Sequence, residues 1–262
     1  MKREYAMHLK KVWKSYLSKI LIIFFILSQN ILADVIPAPT CDKCDKSLDT
    51  LSPFSKGIKS KNNVLILWIP GGEGQGPNQI GFTPWRDLIF LVDFAILISP
   101  YPLKHPKSVS VKASSPDYIN RIRDAIIYYK KKTGKKVVLA GHSMSTRTVS
   151  NFINSSQENA DVVDGAIYGG INYNVPSLKR RVNIPILMIH HKRDACPSNS
   201  LSAAKTIVKN IQKKNDGNTF FEIIEGGQGS GDVCGTQHYH GFGTVKNIAA
   251  EKALSFIENN FK

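Results

Sequence analysis

The chain has 262 residues and a formal net charge of +15 at pH 7, with 42% hydrophobic and 21% charged residues. This length fits one sizeable domain, and the balance of residue types excludes a disordered or fibrous chain. The basic residues are spread out, without a helix-turn-helix or a basic stripe interleaved with aromatic residues, so no nucleic-acid partner is expected. The charge predicts a solvated surface and at most weak association with anionic surfaces.

Residues 1–33 have the pattern of a secretory signal peptide. Six basic residues and one acidic residue lie within this stretch, an apolar run (ILIIFFIL) spans residues 20–27, and the stretch ends at Ala33. The run is shorter than the roughly 20 residues that cross a bilayer, which favours a cleaved signal over a membrane anchor. We expect cleavage near Ala33, a net charge of about +10 for the rest of the chain, and a secreted or periplasmic protein.

Residues 34–62 are rich in Pro, Ser, Lys and Asp and predict an irregular segment that leads into a domain at residues 63–262. The segment contains a C-x-x-C pair, Cys41 and Cys44, which in some proteins is a redox motif. Here the pair does not follow a strand at the start of a helix, so a structural pair or pairing with other cysteines is favoured. Thiol–disulfide exchange through Cys41 and Cys44 is kept as an alternative function.

Six short apolar runs predict strands, and unbroken runs of this length are typical of parallel strands that are covered on both faces. The runs are Val64–Ile69, Phe94–Ile98, Lys136–Ala140, Gly165–Tyr168, Ile186–Ile189 and Phe220–Ile224.

Helical patterns separate several of these runs and follow the last one. They extend from Pro116, after the N-cap Ser115, to Gly134, then from Ser145, from Leu201 to near Gly217, and across Ala249–Ile257. The alternation predicts an α/β protein with a mostly parallel, doubly wound sheet and helices on both faces. In such sheets, functional residues are expected in the loops that follow the carboxyl ends of the strands.

One of these loops holds the pentapeptide Gly141-His142-Ser143-Met144-Ser145, between a predicted strand and a predicted helix. A serine at a sharp strand-to-helix turn is exposed at the top of the sheet, and the helix N-terminus favours developing negative charge. The segment resembles the nucleophile elbow G-x-S-x-G of the α/β-hydrolase family, with Ser145 in place of the last glycine. The resemblance covers about residue 63 to the C-terminus and implies Ser143 as nucleophile. Because no long insertion precedes the predicted acid, a minimal fold without a large lid is expected.

The resemblance also implies a catalytic histidine after the last strand. His238 and His240 both lie there, and His240 is favoured because the triplet His240-Gly241-Phe242 looks like the end of the family's catalytic loop. A His-x-His pair can bind a metal, but no His, Asp or Glu cluster at ligand spacing accompanies it. No metal and no cofactor are therefore expected.

The third member of the triad is expected just after the strand at Ile186–Ile189, where the family's acid usually lies. Asp194 occupies this place, with Asp164 and Asp232 as alternatives. Its carboxylate is expected to orient the imidazole and to stabilise its cation. His190 and His191, which precede Asp194, are interpreted as loop residues.

Two backbone N–H groups are expected to form the oxyanion hole of the family. One belongs to Met144, the residue after the nucleophile, and the other to Gly72 in the glycine-rich loop after the first strong strand, with Gly71 as the alternative. A disulfide between Cys196 and Cys234 would connect the loop of the acid with the loop of the histidine, and an oxidising compartment favours it.

These residues together predict an exported serine hydrolase that cleaves a carboxylic ester, or a related acyl bond, through an acyl-enzyme intermediate. The expected partner is a small-molecule or lipid-like ester substrate. A catalytically inactive binding protein of the same fold is the alternative, because a fold does not guarantee an activity.

Overall fold

The structure, a computed structural model, describes residues 34–35, 50–53, 62–69, 71, 88, 92–97 and 114–262, all within the unit Ala33–Lys262. The predicted signal peptide, Cys41, Cys44 and Gly72 lie outside the described residues. The strands are β1 (Asp34–Val35), β2 (Thr50–Pro53), β3 (Val64–Ile69), β4 (Asp93–Leu97), β5 (Lys136–His142), β6 (Gly165–Gly169), β7 (Ile186–His191) and β8 (Thr219–Ile224). The helices are α1 (Pro116–Thr133), α2 (Ser145–Ser155), α3 (Gln157–Val162), α4 (Leu201–Gln212) and α5 (Lys246–Asn260).

These strands form one sheet in the order β1-β2-β4-β3-β5-β6-β7-β8. The six strands from β4 to β8 in this order run parallel, whereas β1 and β2 are antiparallel to their neighbours. In the parallel register His142 lies opposite Gly169, and Gly169 lies opposite Ile189. The ends of β5, β6 and β7 therefore meet at one edge of the sheet, which we call the carboxyl edge.

Helices cover both faces of the sheet, as the sequence predicts. On β3, the side chains of Leu65, Leu67 and Ile69 belong to a core with α1, α2 and α4. The alternate side chains Val64, Ile66 and Trp68 belong to a second core with α5. Because both faces of each central strand are buried, the strands are apolar throughout instead of alternating with polar residues.

The helix boundaries follow from local capping. Ser115 caps α1 by accepting a hydrogen bond from the Tyr118 N–H, Pro116 occupies the first turn, and Gly134 ends the helix with a left-handed φ of 68°. Ser200 caps α4 in the same way as Ser115 caps α1. Of the helices within the described residues, none has both the length and the apolar character needed to cross a membrane.

The structure differs from the sequence prediction where strand pairing extends through polar residues. β7 continues through His190 and His191, which pair with Ile223 and Ile224 of β8 and are buried, so the interpretation of these two histidines as loop residues is wrong. β1 and β2 lie in the segment 34–62, for which the sequence predicts no regular structure. β1 pairs with β2, and β2 pairs with β4. Strands of two and four residues are too short to show a periodic pattern in the sequence.

Candidate active site

Ser143 occupies a sharp turn between β5 and α2 at the carboxyl edge. Its φ is +58°, in the left-handed region that residues other than glycine rarely adopt. The turn is fixed by hydrogen bonds: the Ser143 N–H donates to the Gly169 carbonyl at 2.9 Å, and the Ser143 carbonyl accepts from the N–H and the hydroxyl of Thr146 at 3.0 and 2.6 Å. Strained backbone that the surroundings hold in place is concentrated at functional sites.

The small residues around Ser143 let the chain turn this tightly. A Cβ atom on Gly141 would lie 2.8 Å from the carbonyl oxygen and the Oγ of Ser145. The Ser145 hydroxyl is buried, accepts from the His142 N–H and donates to the His142 carbonyl, both at 2.8 Å. This folded-back position explains how a serine replaces the last glycine of the pattern.

Met144 and the loop after β3, in which the sequence predicts the oxyanion donors, both adjoin the Ser143 turn. No described residue accepts a hydrogen bond from the Met144 N–H, which lies at the N-terminus of α2. In the loop after β3, a Cβ on Gly71 would lie 2.5 Å from the His142 carbonyl oxygen and 3.7 Å from the Ser143 Cβ. The residue before Gly72 is therefore in direct contact with the Ser143 turn.

Asp194 and His240 form a buried pair. Nδ1 of His240 lies 2.9 Å from Oδ2 of Asp194, and the two side chains are 5% and 0% exposed. Oδ1 of Asp194 accepts a hydrogen bond from the Cys196 N–H at 3.0 Å, so both carboxylate oxygens are engaged. Because Nδ1 donates to the carboxylate, Nε2 of the neutral His240 ring is left as a hydrogen-bond acceptor.

The pair lies next to the Ser143 turn. The ring of His142, the residue before Ser143, has its centroid 5.0 Å from that of the His240 ring. Within the described part of the chain, no hydrogen bond joins the Ser143 hydroxyl to the His240 ring. Catalytic hydrogen bonds are often long in unliganded enzymes and shorten when the substrate binds.

The alternative site residues have other roles in the structure. His238 packs edge-to-face on Tyr239, with ring centroids 4.9 Å apart, and has no hydrogen bond to Asp194. Asp164 lies at the opposite edge of the sheet, where it accepts from the Val137 N–H and from Lys130 Nζ, each at 2.7 Å. Asp232 accepts from the Cys234 N–H at 2.8 Å in an exposed loop.

Three further histidines surround the pair, and their burial is not evident from the sequence. The His142 ring fits against Gly170, whose φ is +49° and whose added Cβ would lie 2.6 Å from the ring. Burial lowers the pKa of His142 well below its usual value, and the nearby His240 adds to this effect. Burial also lowers the pKa of His190 to about 4 and lowers the pKa of His191.

Among the described residues no group of three His, Cys, Asp or Glu side chains is arranged to hold a metal ion.

The loop that carries Asp194 and the loop that carries His240 are connected covalently. A disulfide joins Cys196 to Cys234, which are 38 residues apart in the sequence. The Arg193 guanidinium lies 4.3 Å from the centroid of the Tyr239 ring, which also stacks on His191 at 4.7 Å. The backbone that positions Asp194 is thus attached at several points to the backbone that positions His240.

Solved structures with a similar architecture include α/β hydrolases and esterases. The alpha/beta hydrolase MGS-M1 from a deep-sea metagenome library has a TM-score of 0.59 at 13% identity and covers 87% of this chain and 97% of its own. The Pyrococcus furiosus esterase Pf2001 has a TM-score of 0.57 at 8% identity, covering 81% and 88%. Thermogutta terrifontis esterase 2 has a TM-score of 0.56 at 13% identity, covering 87% and 92%. No protein-family model and no curated protein sequence matches the chain. The protein has the α/β-hydrolase fold, which confirms the fold predicted from the sequence.

Proposed function

We propose that this protein is an exported serine hydrolase that cleaves carboxylic esters with Ser143, His240 and Asp194. The observation that carries the proposal is the buried hydrogen bond of 2.9 Å between Asp194 and His240, next to a serine in a left-handed turn. A nucleophile, a base and a group that orients the base are the three parts that acyl transfer by serine requires. The names of the structural neighbours, which include esterases, favour an ester over an amide or a thioester.

Acylation begins when the Ser143 oxygen attacks the carbonyl carbon of the ester and Nε2 of His240 takes the hydroxyl proton. The imidazolium that results is stabilised by the Asp194 carboxylate, which remains ionised. His240 then gives the proton to the leaving alcohol oxygen, and the carbon–oxygen bond of the ester breaks. Water repeats the sequence on the acyl-enzyme, which releases the acid and restores Ser143.

The negative charge on the substrate oxygen is stabilised by the backbone around the turn. The Met144 N–H has no acceptor among the described residues and lies at the positive end of the α2 dipole. The second donor in this proposal is the N–H of Gly72, which directly follows the glycine in contact with the His142 carbonyl. Removal of one such donor typically slows turnover by about 10²–10³-fold.

Export is supported by two independent observations. Residues 1–33 have the pattern of a signal peptide, and the Cys196–Cys234 disulfide is typical of an oxidising compartment. The expected substrate is a small-molecule or lipid-like ester.

A fluorophosphonate probe tests the proposal on the full chain. The wild type is expected to be labelled covalently and to hydrolyse p-nitrophenyl esters, with the best acyl length found by extending the chain stepwise. Ser143→Ala should lose labelling and lower kcat by about a thousandfold or more, because the nucleophile is gone. Ser202→Ala is the matched control, since Ser202 is exposed on α4, and it should behave as the wild type.

The contrary result is a folded wild-type protein that is neither labelled nor active on any ester of the series. That result would favour a binding protein that has the fold without turnover. Labelling that persists in Ser143→Ala would assign the nucleophile to another serine.

A further inference from the structure

His190 is a buried imidazole that the proposed mechanism does not use. Its side chain is fully buried at the end of β7, and its Nδ1 accepts a hydrogen bond from the Ile171 N–H at 3.1 Å. A ring nitrogen that accepts a hydrogen bond carries no proton, so the proton of the neutral ring is on Nε2. Because burial lowers the pKa of His190 to about 4, the ring is neutral at neutral pH.

The protonated nitrogen of His190 faces the acid of the candidate triad. Nε2 lies 3.8 Å from Oδ2 of Asp194, which is the oxygen that also accepts from His240. No described residue meets the geometry of a hydrogen bond to this nitrogen, although the backbone of Asn199 also interacts with the ring and favours its protonated form. The separation is too long for a hydrogen bond, so the contact between the two groups is electrostatic.

The other nitrogen of the His190 ring binds the loop after β6, which lies next to Ser143. Ile171 follows Gly169 and Gly170 in the loop after β6. The Gly169 carbonyl accepts from the Ser143 N–H, and the Gly170 N–H donates to the Ile189 carbonyl at 3.0 Å. The His190 ring thus contacts the loop behind Ser143 through Nδ1 and lies near the Asp194 carboxylate through Nε2.

We propose that His190 is a positioning residue for the Asp194–His240 pair, which it connects to the loop behind Ser143. Its Nδ1 holds that loop through Ile171, and its Nε2–H restricts the Asp194 carboxylate to the orientation that His240 needs. The inference rests on the proposed function, since it assigns a role to His190 within that same triad. A buried polar residue with a purely structural role would affect stability without affecting the pair.

Two substitutions separate the two contacts. In His190→Asn the side-chain carbonyl can occupy the place of Nδ1 and accept from Ile171, but the side chain is too short to reach Asp194. In His190→Gln the amide nitrogen can occupy the place of Nε2 and donate to Asp194. We expect kcat for a p-nitrophenyl ester to fall about tenfold in His190→Asn with KM changed less than twofold. In His190→Gln, which keeps the donor to Asp194 but leaves the Ile171 N–H without its acceptor, kcat should fall clearly less than in His190→Asn.

A spectroscopic measurement makes the test independent of turnover. The proton between His240 Nδ1 and Asp194 should give a low-field proton NMR signal in the wild type and in His190→Gln, and a weak or absent signal in His190→Asn. Tyr168→Phe is the control, because Tyr168 is buried on β6 and its hydroxyl bonds only to Ser150 among the described residues. It should lower stability and leave both the signal and kcat unchanged.

Equal losses in His190→Asn and His190→Gln, or an unchanged signal and kcat in His190→Asn, would overturn the inference. Failure of the proposed function has a different signature, namely a wild type without Ser143-dependent hydrolysis. In that case the low-field signal of the three proteins still decides whether His190 positions the pair.

Discussion

Gly170 is the residue whose lack of a side chain makes room for the His142 ring. Its φ of +49° lies in the left-handed region, and the space next to its Cα is occupied by the imidazole. Gly170→Ala therefore introduces two separate penalties, about 1–2 kcal/mol from the left-handed backbone and about 1–3 kcal/mol from overlap with the ring. We expect a loss of stability in urea denaturation and a fall in kcat, because the displaced ring contacts His240.

Gly134→Ala is the matched control for this prediction. Gly134 also has a left-handed φ, 68°, but an added Cβ would meet nothing within 4 Å. It should lose only the backbone contribution and keep its kcat. If the two variants lose the same stability and Gly170→Ala keeps full kcat, the close packing of His142 against Gly170 has no functional consequence.

The sequence predicts Ser143, Asp194 and His240 as candidate site residues, but it does not predict which of the histidines are buried. Ser143 is recognisable because its turn requires small neighbours in a fixed pattern, and Asp194 and His240 follow from their places after strands. The burial of His190 is not predictable in this way. The pairing between β7 and β8 continues past the apolar run and includes His190 and His191. Because hydrophobic periodicity detects buried apolar residues only, it cannot predict that these polar residues are buried.

Among the structural elements, the two loops after β7 and β8 act as one unit because of the disulfide between Cys196 and Cys234. Closing a loop of this length restricts the unfolded chain and stabilises the fold by roughly 3–4 kcal/mol. The double variant Cys196→Ser, Cys234→Ser should show a lower midpoint of thermal unfolding. It should also lose activity at temperatures where it is still folded, because Asp194 and His240 are carried by the two loops.

Reductant provides the complementary measurement. Reduction of the wild type should reproduce the loss of activity, whereas the double variant should not respond further through these two residues. Any response that remains in the double variant belongs to Cys41 and Cys44. A reduced wild type with full activity and an unchanged unfolding midpoint would contradict a role for the disulfide in holding the pair.

The elements that the sequence predicts well are those with strong local signals. All six predicted strands are present, and α1 is bounded by Ser115 and Gly134, as its capping residues indicate. α3 is not predicted, because six residues are too few to show a helical period, although Ser156 caps it. β1 and β2 depend on pairing across the edge of the sheet, which no local pattern encodes.

For the molecule as a whole, the buried neutral histidines make stability depend on pH. The pKa of His190 falls from its ordinary 6.5 to about 4 in the folded protein. Between these values the unfolded chain binds a proton that the folded protein does not. The free energy of unfolding is therefore highest above about pH 6.5. It decreases as the pH falls towards 4, by about 3 kcal/mol in total for His190. The direction is the same for His142, whose pKa is also lowered.

Urea denaturation at several pH values between 7 and 4 measures this dependence. The free energy of unfolding should decrease as the pH falls, and it should decrease less steeply in His190→Asn, which has no imidazole at this position. Tyr168→Phe should keep the slope of the wild type. Parallel curves for the wild type and His190→Asn would show that His190 titrates alike in the folded and unfolded chains.

The residues of the candidate site lie far apart in the sequence and follow four different strands of the sheet. Gly71 follows β3, Ser143 follows β5, Asp194 follows β7, and His240 comes after β8, close to the C-terminus. Only the stretch from Gly71 to His240 carries all of these groups, and β3, β5 and β7 each pair with a strand on both sides, whereas β8 pairs only with β7. In the mechanism that we propose, hydrolysis would therefore begin only after the chain has been synthesised beyond His240 and the loops after β3, β5, β7 and β8 have been brought together.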